Sequence, residues 1–157
     1  MRLFVVFMII AVALGSCDTN RVFEENKDFE KRAWTVGDSV HFEFQISDAE
    51  AAYNLSCNIR NTMDYPYSRI FVNYTLEDST HRVLATKLVS TYLFDGKTGE
   101  PKGNSGLGDI YDHRFVLLEN RKFAAGKYFV SLQQYMRTDT LDGVLAAGVR
   151  VEKVEMK

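Results

Sequence analysis

The stretch Val40-His41-Phe42-Glu43-Phe44-Gln45-Ile46 alternates apolar and polar side chains without a break. Successive side chains of an extended chain point to opposite faces, so a period of two is typical of a β-strand with one buried and one solvated face. The pattern therefore predicts a strand that turns Phe42 and Phe44 toward a core and Glu43 toward water.

The same alternation returns along much of the remaining chain. Tyr53, Leu55, Cys57 and Ile59 alternate with polar residues, and Asp64 and Pro66 then supply turn chemistry. Further strands are predicted at about 70–76, 83–94 (interrupted near 85–87), 110–118, 128–135 and 144–154. No window has sustained helical periodicity. Seven or eight short strands separated by turns predict an all-β fold, a single antiparallel β-sandwich of jelly-roll-like architecture.

The composition is typical of a β-rich domain and argues against nucleic-acid binding. The chain has 157 residues, with eleven Phe, eight Tyr, one Trp and only two Pro, and aromatic residues are enriched in strands. The formal net charge is −2 at pH 7, and no basic stripe runs along the chain. Nucleic acid is therefore not expected as a partner.

The N-terminal residues have the pattern of an export signal. A lone cation, Arg2, precedes twelve apolar residues from Leu3 to Leu14, and small residues follow. Twelve residues at about 1.5 Å each span roughly 18 Å, less than the hydrocarbon core of about 30 Å, so this run is not a membrane span. Leu14-Gly15-Ser16-Cys17 resembles the lipobox of a bacterial lipoprotein signal peptide.

The lipobox resemblance implies cleavage before Cys17 and acylation of that cysteine, which would insert two or three acyl chains into a membrane. The expected organisation is a signal peptide over 1–16, a lipidated N-terminus and tether over 17–32 that becomes the first edge of the domain, and the β-sandwich over 33–157. The alternative is an ordinary secretory signal with Cys17 part of the mature fold. If Cys17 is acylated, Cys57 has no partner within the chain and is expected to point into the core.

The longest segment rich in turn residues runs from Asp95 to Asp109 and contains five glycines and Pro101. A loop of this length in a compact domain is either functional or mobile, so we expect a partner-binding surface here. The candidate residues are Asp95, Glu100, Asn104, Asp109 and Asp112. Their spacing matches no defined calcium loop, and neither a metal nor a cofactor is expected.

No set of residues predicts catalysis. Glu43, Glu77 and Glu119 fall on separate predicted elements, and no motif pairs two of them as glycoside hydrolysis would require. We therefore expect a protein that is not an enzyme and has no catalytic residue. Five aromatic residues could instead form a platform for sugars or peptides, or complete the core: Trp34, Tyr65, Tyr67, Tyr92 and Tyr111.

Several strings in order along the chain resemble one family. They are Arg21–Phe29, Tyr53–Leu55, Asn58–Asn61, Tyr65–Tyr67, Leu107–His113, Gln134–Arg137, Asp139–Leu141 and Gly148–Lys153. Together they resemble the gliding-motility lipoprotein family GldH of the Bacteroidota, over essentially the whole chain. The resemblance implies a small envelope lipoprotein required for gliding and associated with the machinery that moves and secretes adhesins, without an established catalytic residue.

With the lipobox and the lack of a catalytic motif, the resemblance implies a membrane-anchored, non-enzymatic accessory component of the gliding-motility and associated secretion machinery. Its partners would be membrane lipid, through acylated Cys17, and envelope proteins of that apparatus. The residues after Cys17, Asp18-Thr19-Asn20-Arg21, lack the acidic cluster of surface-exported lipoproteins. Asp18 directly after the cysteine resembles the inner-membrane retention signal of enteric bacteria. We expect location in the outer membrane, facing the periplasm, with the inner membrane and the cell surface as the alternatives. The alternative function is a glycan-binding β-sandwich lipoprotein of the envelope.

Overall fold

The computed structural model describes residues 18–155, in which it contains eleven β-strands and no helix. The strands are β1 (Arg21–Asp28), β2 (Ala33–Thr35), β3 (Val40–Ile46), β4 (Ala52–Thr62), β5 (Arg69–Asp78), β6 (Val83–Tyr92), β7 (Asn104–Ser105), β8 (Ile110–Lys122), β9 (Gly126–Gln134), β10 (Thr140–Asp142) and β11 (Val144–Lys153). Over these residues the chain offers no helix that could span a bilayer.

Two antiparallel sheets form a sandwich. The first sheet has the order β1-β11-β4-β8-β7, the second has the order β3-β9-β5-β6, and β10 and β2 form a small separate ribbon. The eight strands of seven or more residues, counted along the chain, lie in the orders 1-8-3-6 and 2-7-4-5, which is the arrangement of a jelly roll. The predicted all-β sandwich of jelly-roll-like architecture is confirmed.

The core lies between the sheets and begins with the alternation that predicted the fold. In β3, Phe42, Phe44 and Ile46 are buried while the residues between them are exposed. Phe44 stacks on Tyr128 at 5.7 Å and meets Phe123 edge-on at 6.3 Å between ring centroids. Such aromatic pairs add to the stabilisation that burial of apolar area provides.

Strand β6 differs from the sequence prediction. It is continuous from Val83 to Tyr92, and the interruption expected near 85–87 is absent because these residues pair with 74–76 of β5. The irregularity lies one residue earlier, at Leu84. Leu76 of β5 pairs with Ala85 and Glu77 pairs with Val83, so Leu84 has no partner in β5. A bulge of this kind keeps a strand in its sheet while leaving one residue unpaired.

The segment expected as a tether that becomes the first edge of the domain contains a full strand at that edge. β1 pairs with β11 from Phe23, opposite Val151, to Asp28, opposite Ala146. Phe23 packs against Phe44 at 6.0 Å between centroids. The sandwich therefore begins at Arg21, so the expected boundary at residue 33 lies within the folded domain. The polar composition concealed this strand, and one of its polar side chains, Glu24, forms ion pairs with Arg150 of β11 and Arg114 of β8.

The register defines two ends of the sandwich. β1 begins beside the end of β11 and the start of β4, and β3 ends beside the start of β9. We call this the N-terminal end, which contains residues 18–20, 47–51, 79–82, 123–125 and 154–155. The opposite end, the loop end, contains residues 29–39, 63–68, 93–109 and 135–143. β4 runs from one to the other, and its eleven residues span about 35 Å.

Candidate functional site

The predicted lipidation residue, Cys17, lies outside the described residues, but the residues that follow it are bound to the sandwich. The Asp18 carboxylate accepts a hydrogen bond from Arg150. The side-chain amide N–H of Asn20 donates to Glu155 at 2.6 Å, and the backbone carbonyl of Asn20 accepts from the backbone N–H of Lys153 at 2.8 Å. The chain is thus attached to β11 before β1 begins.

Arg150 is the centre of this attachment. Its side chain, on the outer face of β11, is only 8% exposed and pairs with Asp18, with Glu24 at 2.7 Å and with Glu152 at 2.6 Å. Burial alone would lower the pKa of Arg150, but the hydrogen bonds to Glu152, Asp18 and Glu24 outweigh it and raise that pKa. A buried guanidinium with three carboxylates is a fixed structural joint.

Glu24 links this joint to the rest of the sheet. Besides Arg150 it accepts hydrogen bonds from Arg114 at 2.8 Å and Asn58 at 3.0 Å, and from Arg21 at 3.3 Å. Burial works to raise the pKa of Glu24, yet the hydrogen bonds from Arg150, Asn58 and Arg21 hold it below its usual range. The network therefore joins β1, β4, β8 and β11 at one place, and it requires the ionised form of Glu24.

The segment 95–109 is ordered by its own hydrogen bonds. Phe94 and Pro101 form a β-bridge, and the Asp95 side chain accepts from the backbone N–H groups of Lys97 at 2.9 Å and Thr98 at 3.1 Å. These bonds lower the pKa of Asp95. Further on, β7 pairs with β8. The segment is a folded hairpin-like projection from the loop end.

The five predicted loop residues do not come together as one site. The Asp95 side chain accepts hydrogen bonds within its own turn. The backbone carbonyl of Glu100 accepts from the backbone N–H of Asp95, and that of Asp109 accepts from the backbone N–H of Met63. Asn104 and Asp112 do meet, in a polar depression of about 250 Å³ on the outer face of the first sheet. There Asp112 forms an ion pair with Arg60 at 2.8 Å. Within residues 18–155 no three His, Cys, Asp or Glu side chains are grouped as metal ligands.

Sequence reasoning missed the apolar character of the loop end. Of the ten large hydrophobic side chains exposed within residues 18–155, five lie at this end: Val36, Met63, Tyr67, Leu107 and Tyr135. A sixth, Tyr92, is the last residue of β6 and adjoins it. Leu107 is 91% exposed, at the tip of the β7–β8 turn, between Gly106 and Gly108. An apolar residue between two turn glycines was a signal available in the sequence. Exposed apolar side chains concentrated in one region mark interaction surfaces.

The predicted aromatic platform is not formed. Trp34 is completely buried and donates its indole N–H to the carbonyl of Asp38 at 2.7 Å. Tyr65 is also buried, and its hydroxyl donates to the carbonyl of Arg69 at 2.9 Å. These two residues complete the core, which was the alternative interpretation, because a buried ring with a satisfied polar atom belongs to the interior. Tyr67 and Tyr92 are exposed.

Cys57 lies where the alternation predicted. It is a free, buried cysteine, and burial raises the pKa of its thiol. A thiol in this environment is unreactive and packs as a small apolar residue.

Comparisons with solved structures find only distant likeness. A glucuronidase of family GH115 with specificity for decorated arabinogalactans has a TM-score of 0.45 at 15% identity, and the match covers 92% of this chain and 19% of that one. The VP2 subviral particle of infectious bursal disease virus has a TM-score of 0.40 at 12% identity, covering 89% of this chain and 36% of that one. Similarity at this level carries no argument about function.

Sequence comparisons are far more specific. The model of the GldH lipoprotein family matches residues 21–151. A gliding motility lipoprotein GldH homolog of Christiangramia forsetii is 33% identical over 156 residues, covering 94% of this chain and 93% of the relative. The gliding motility lipoprotein GldH of Flavobacterium johnsoniae is 30% identical over 155 residues, covering 94% of each. With a match that runs from the first strand of the sandwich into its last, the chain belongs to the GldH lipoprotein family.

Proposed function

We propose that this chain is a lipid-anchored envelope protein that acts as a non-enzymatic accessory component of the gliding-motility and associated secretion machinery. Acylated Cys17 holds it in the outer membrane, and the sandwich faces the periplasm. The loop end, including the segment 95–109, docks an envelope protein of that apparatus. The relatives named as gliding motility lipoproteins support the role.

The anchoring part of the proposal is supported by the attachment of Asp18. Since Asp18 is paired with Arg150 and directly follows Cys17, a lipid on Cys17 would enter the membrane next to the N-terminal end of the sandwich. Little free chain would separate the acyl groups from the folded domain. The domain would then sit close to the bilayer with a preferred orientation, because the joint has no flexible spacer.

The docking part rests on one observation: the exposed apolar side chains are concentrated at the end opposite Asp18. A domain attached through Asp18 would hold Leu107 about 35 Å from the attachment point, the length of β4. That places the apolar loop end where it can meet another envelope protein. Confinement of both partners to one membrane raises their effective concentration, so a modest contact area suffices.

The anchor is tested by Cys17→Ser in a gliding bacterium whose own GldH gene is deleted. We expect the variant to lose acylation, measured by intact mass, and the cells to lose gliding. A correctly exported, soluble form that restores full gliding would reject the role of the anchor.

The docking surface is tested separately by Leu107→Asp, with Val116→Asp as the matched control. Val116 is 44% exposed on the outer face of β8, away from the loop end. Both variants should be acylated and should unfold at the wild-type temperature, since neither side chain is in the core. We expect gliding to be lost only in Leu107→Asp. Normal gliding of that variant would place the docking surface elsewhere.

A further inference from the structure

Strand β6 is an edge strand whose outer side is unpaired. It is the last strand of the order β3-β9-β5-β6, and no other strand within residues 18–155 pairs with it. Nor does any backbone hydrogen bond from a turn or loop of this range cover residues 83–92. An unpaired edge presents a row of N–H and C=O groups that can pair with another extended chain.

The composition of β6 gives this edge little protection. Its ten residues, VLATKLVSTY, include one charged side chain, Lys87, and neither Pro nor Gly. The edge strand β1 is different, with five charged residues among its eight, RVFEENKD. Charged residues on an edge normally prevent pairing with other chains. β1 has five such residues, whereas β6 has only Lys87.

An apolar cleft lies beside the edge on the outer face of the second sheet. It has a volume of about 610 Å³ and is lined mainly by Val36, Tyr67, Phe71, Leu88, Tyr135 and Met136. Leu88 belongs to β6 and is 45% exposed, and Tyr135 is 62% exposed. A strand added to the edge would bring its outward side chains against Leu88, at the rim of this cleft.

Two arginines flank the cleft and make its surroundings positively charged. Arg137 lines it, and the Arg69 guanidinium lies 4.5 Å from the centroid of the Tyr92 ring. Neither arginine forms an ion pair with another side chain of residues 18–155, and the cleft lining includes no acidic residue. Free guanidinium groups beside an apolar cleft complement a carboxylate.

We propose that the free edge of β6 and the adjoining cleft bind an extended segment of a partner protein, which adds to the second sheet as a fifth strand. The segment carries apolar residues at alternate positions, for the cleft, and a carboxylate that pairs with Arg69 or Arg137. Main-chain hydrogen bonds supply affinity and the side-chain pockets supply specificity, as in strand addition elsewhere. This surface shares Val36, Tyr67 and Tyr135 with the loop end, but Leu107 does not line the cleft, and binding there does not depend on Cys17.

A second copy of the chain fits this edge less well. Antiparallel pairing of two β6 strands centred on Lys87 would place the two lysines directly opposite each other, where like charges are destabilising. In other registers Arg69 and Arg137 still gain no carboxylate, because β6 contains no acidic residue. The charge pattern therefore favours an acidic segment from another protein.

Photo-crosslinking in cells tests strand addition directly. A photoreactive residue is placed at Thr86, Leu88 or Ser90 of the full-length lipoprotein, with Val116 as the control position on the other sheet. Side chains on one face of a strand are two residues apart. We therefore expect that each two-residue step along β6 moves the crosslinked position in one acidic segment of one partner by two residues.

Several results would overturn the proposal. They are crosslinks to the chain itself, to glycan or to lipid, crosslinked positions without a two-residue step, and crosslinking no stronger than from Val116. The step pattern separates strand pairing from incidental capture of a neighbouring protein.

The segment mapped in this way is then synthesised as a peptide and titrated into the purified full-length lipoprotein in detergent. Leu88→Asp should weaken binding at least tenfold, and Arg69→Gln and Arg137→Gln about two- to fivefold each, as expected for exposed charge pairs. Arg121→Gln, an exposed arginine at the N-terminal end, is the control and should bind like wild type. Unchanged binding by Leu88→Asp, with its unfolding temperature preserved, would refute the role of this edge.

Discussion

Replacement of Arg150 by Met is expected to destabilise the sandwich strongly, because it removes the buried cation at the centre of a partly exposed ion-pair network. The Arg150 side chain is 8% exposed and contacts three carboxylates. Removing one partner of a buried pair costs about 3–5 kcal/mol. Glu24 would keep Arg114 and Asn58, so we expect the lower end, about 3 kcal/mol. That is a large part of a typical total of about 5–15 kcal/mol.

The assay is urea unfolding of the full-length protein at pH 7, with thermal unfolding as a second measure. A loss of about 3 kcal/mol corresponds to a melting temperature lower by roughly 12 °C in a domain of this size. Amide hydrogen exchange should also accelerate selectively in β1, because the network holds this edge strand to β11. Arg121→Met removes an exposed arginine without an ion pair in the described sandwich, and it should change stability by less than about 0.5 kcal/mol.

The pH dependence separates an electrostatic cause from a simple packing defect. The pKa of Glu24 is held below its usual value of 4.5 in the folded state. Its contribution is therefore complete above that value and is lost as the pH falls through the folded-state pKa. The deficit of Arg150→Met should stay constant from pH 7 to about 5.5 and shrink below about 4.5. Equal stability of variant and wild type at pH 7, or the same deficit at pH 3.5 as at pH 7, would refute this explanation.

Three further experiments test the fold. Gly143→Ala should lower the free energy of unfolding in urea by more than about 2 kcal/mol. The φ angle of Gly143 is +78°, and a Cβ there would lie 2.6 Å from the backbone nitrogen of Tyr65. Gly96→Ala is the control and should be neutral, because a Cβ at Gly96 would have no atom within 4 Å. Burial lowers the pKa of His113 more than the charge of Asp112 raises it, so wild-type stability should fall from pH 7.5 to 5.5 as the unfolded chain takes up the proton. In His113→Gln this pH-dependent loss of stability should disappear. If the stabilities of variant and wild type changed in parallel with pH, the explanation would be wrong. The Cys57 thiol should resist maleimide in the native protein and react only on unfolding, as peptide mass mapping can show, since it is buried with a raised pKa.

Much of the fold was accessible from local sequence patterns. The alternation in 40–46 predicted β3, and the same period predicted six other long strands, because the side-chain direction in a strand depends only on neighbouring residues. The inward orientation of Cys57 followed from the same parity. The family, too, was identified from short strings along the chain, and the family match confirms it.

Long-range contacts decided the rest. β1 is too polar to be recognised alone, and it is a strand because β11, more than a hundred residues later, supplies its hydrogen bonds and places Arg150 against Glu24. Whether an aromatic residue is core or surface likewise depended on tertiary packing, which buries Trp34 against Phe29 and leaves Tyr67 exposed. The free edge of β6 is a property of strand order. Strand order is set by which apolar faces can be buried together, a balance over the whole chain that no local window contains.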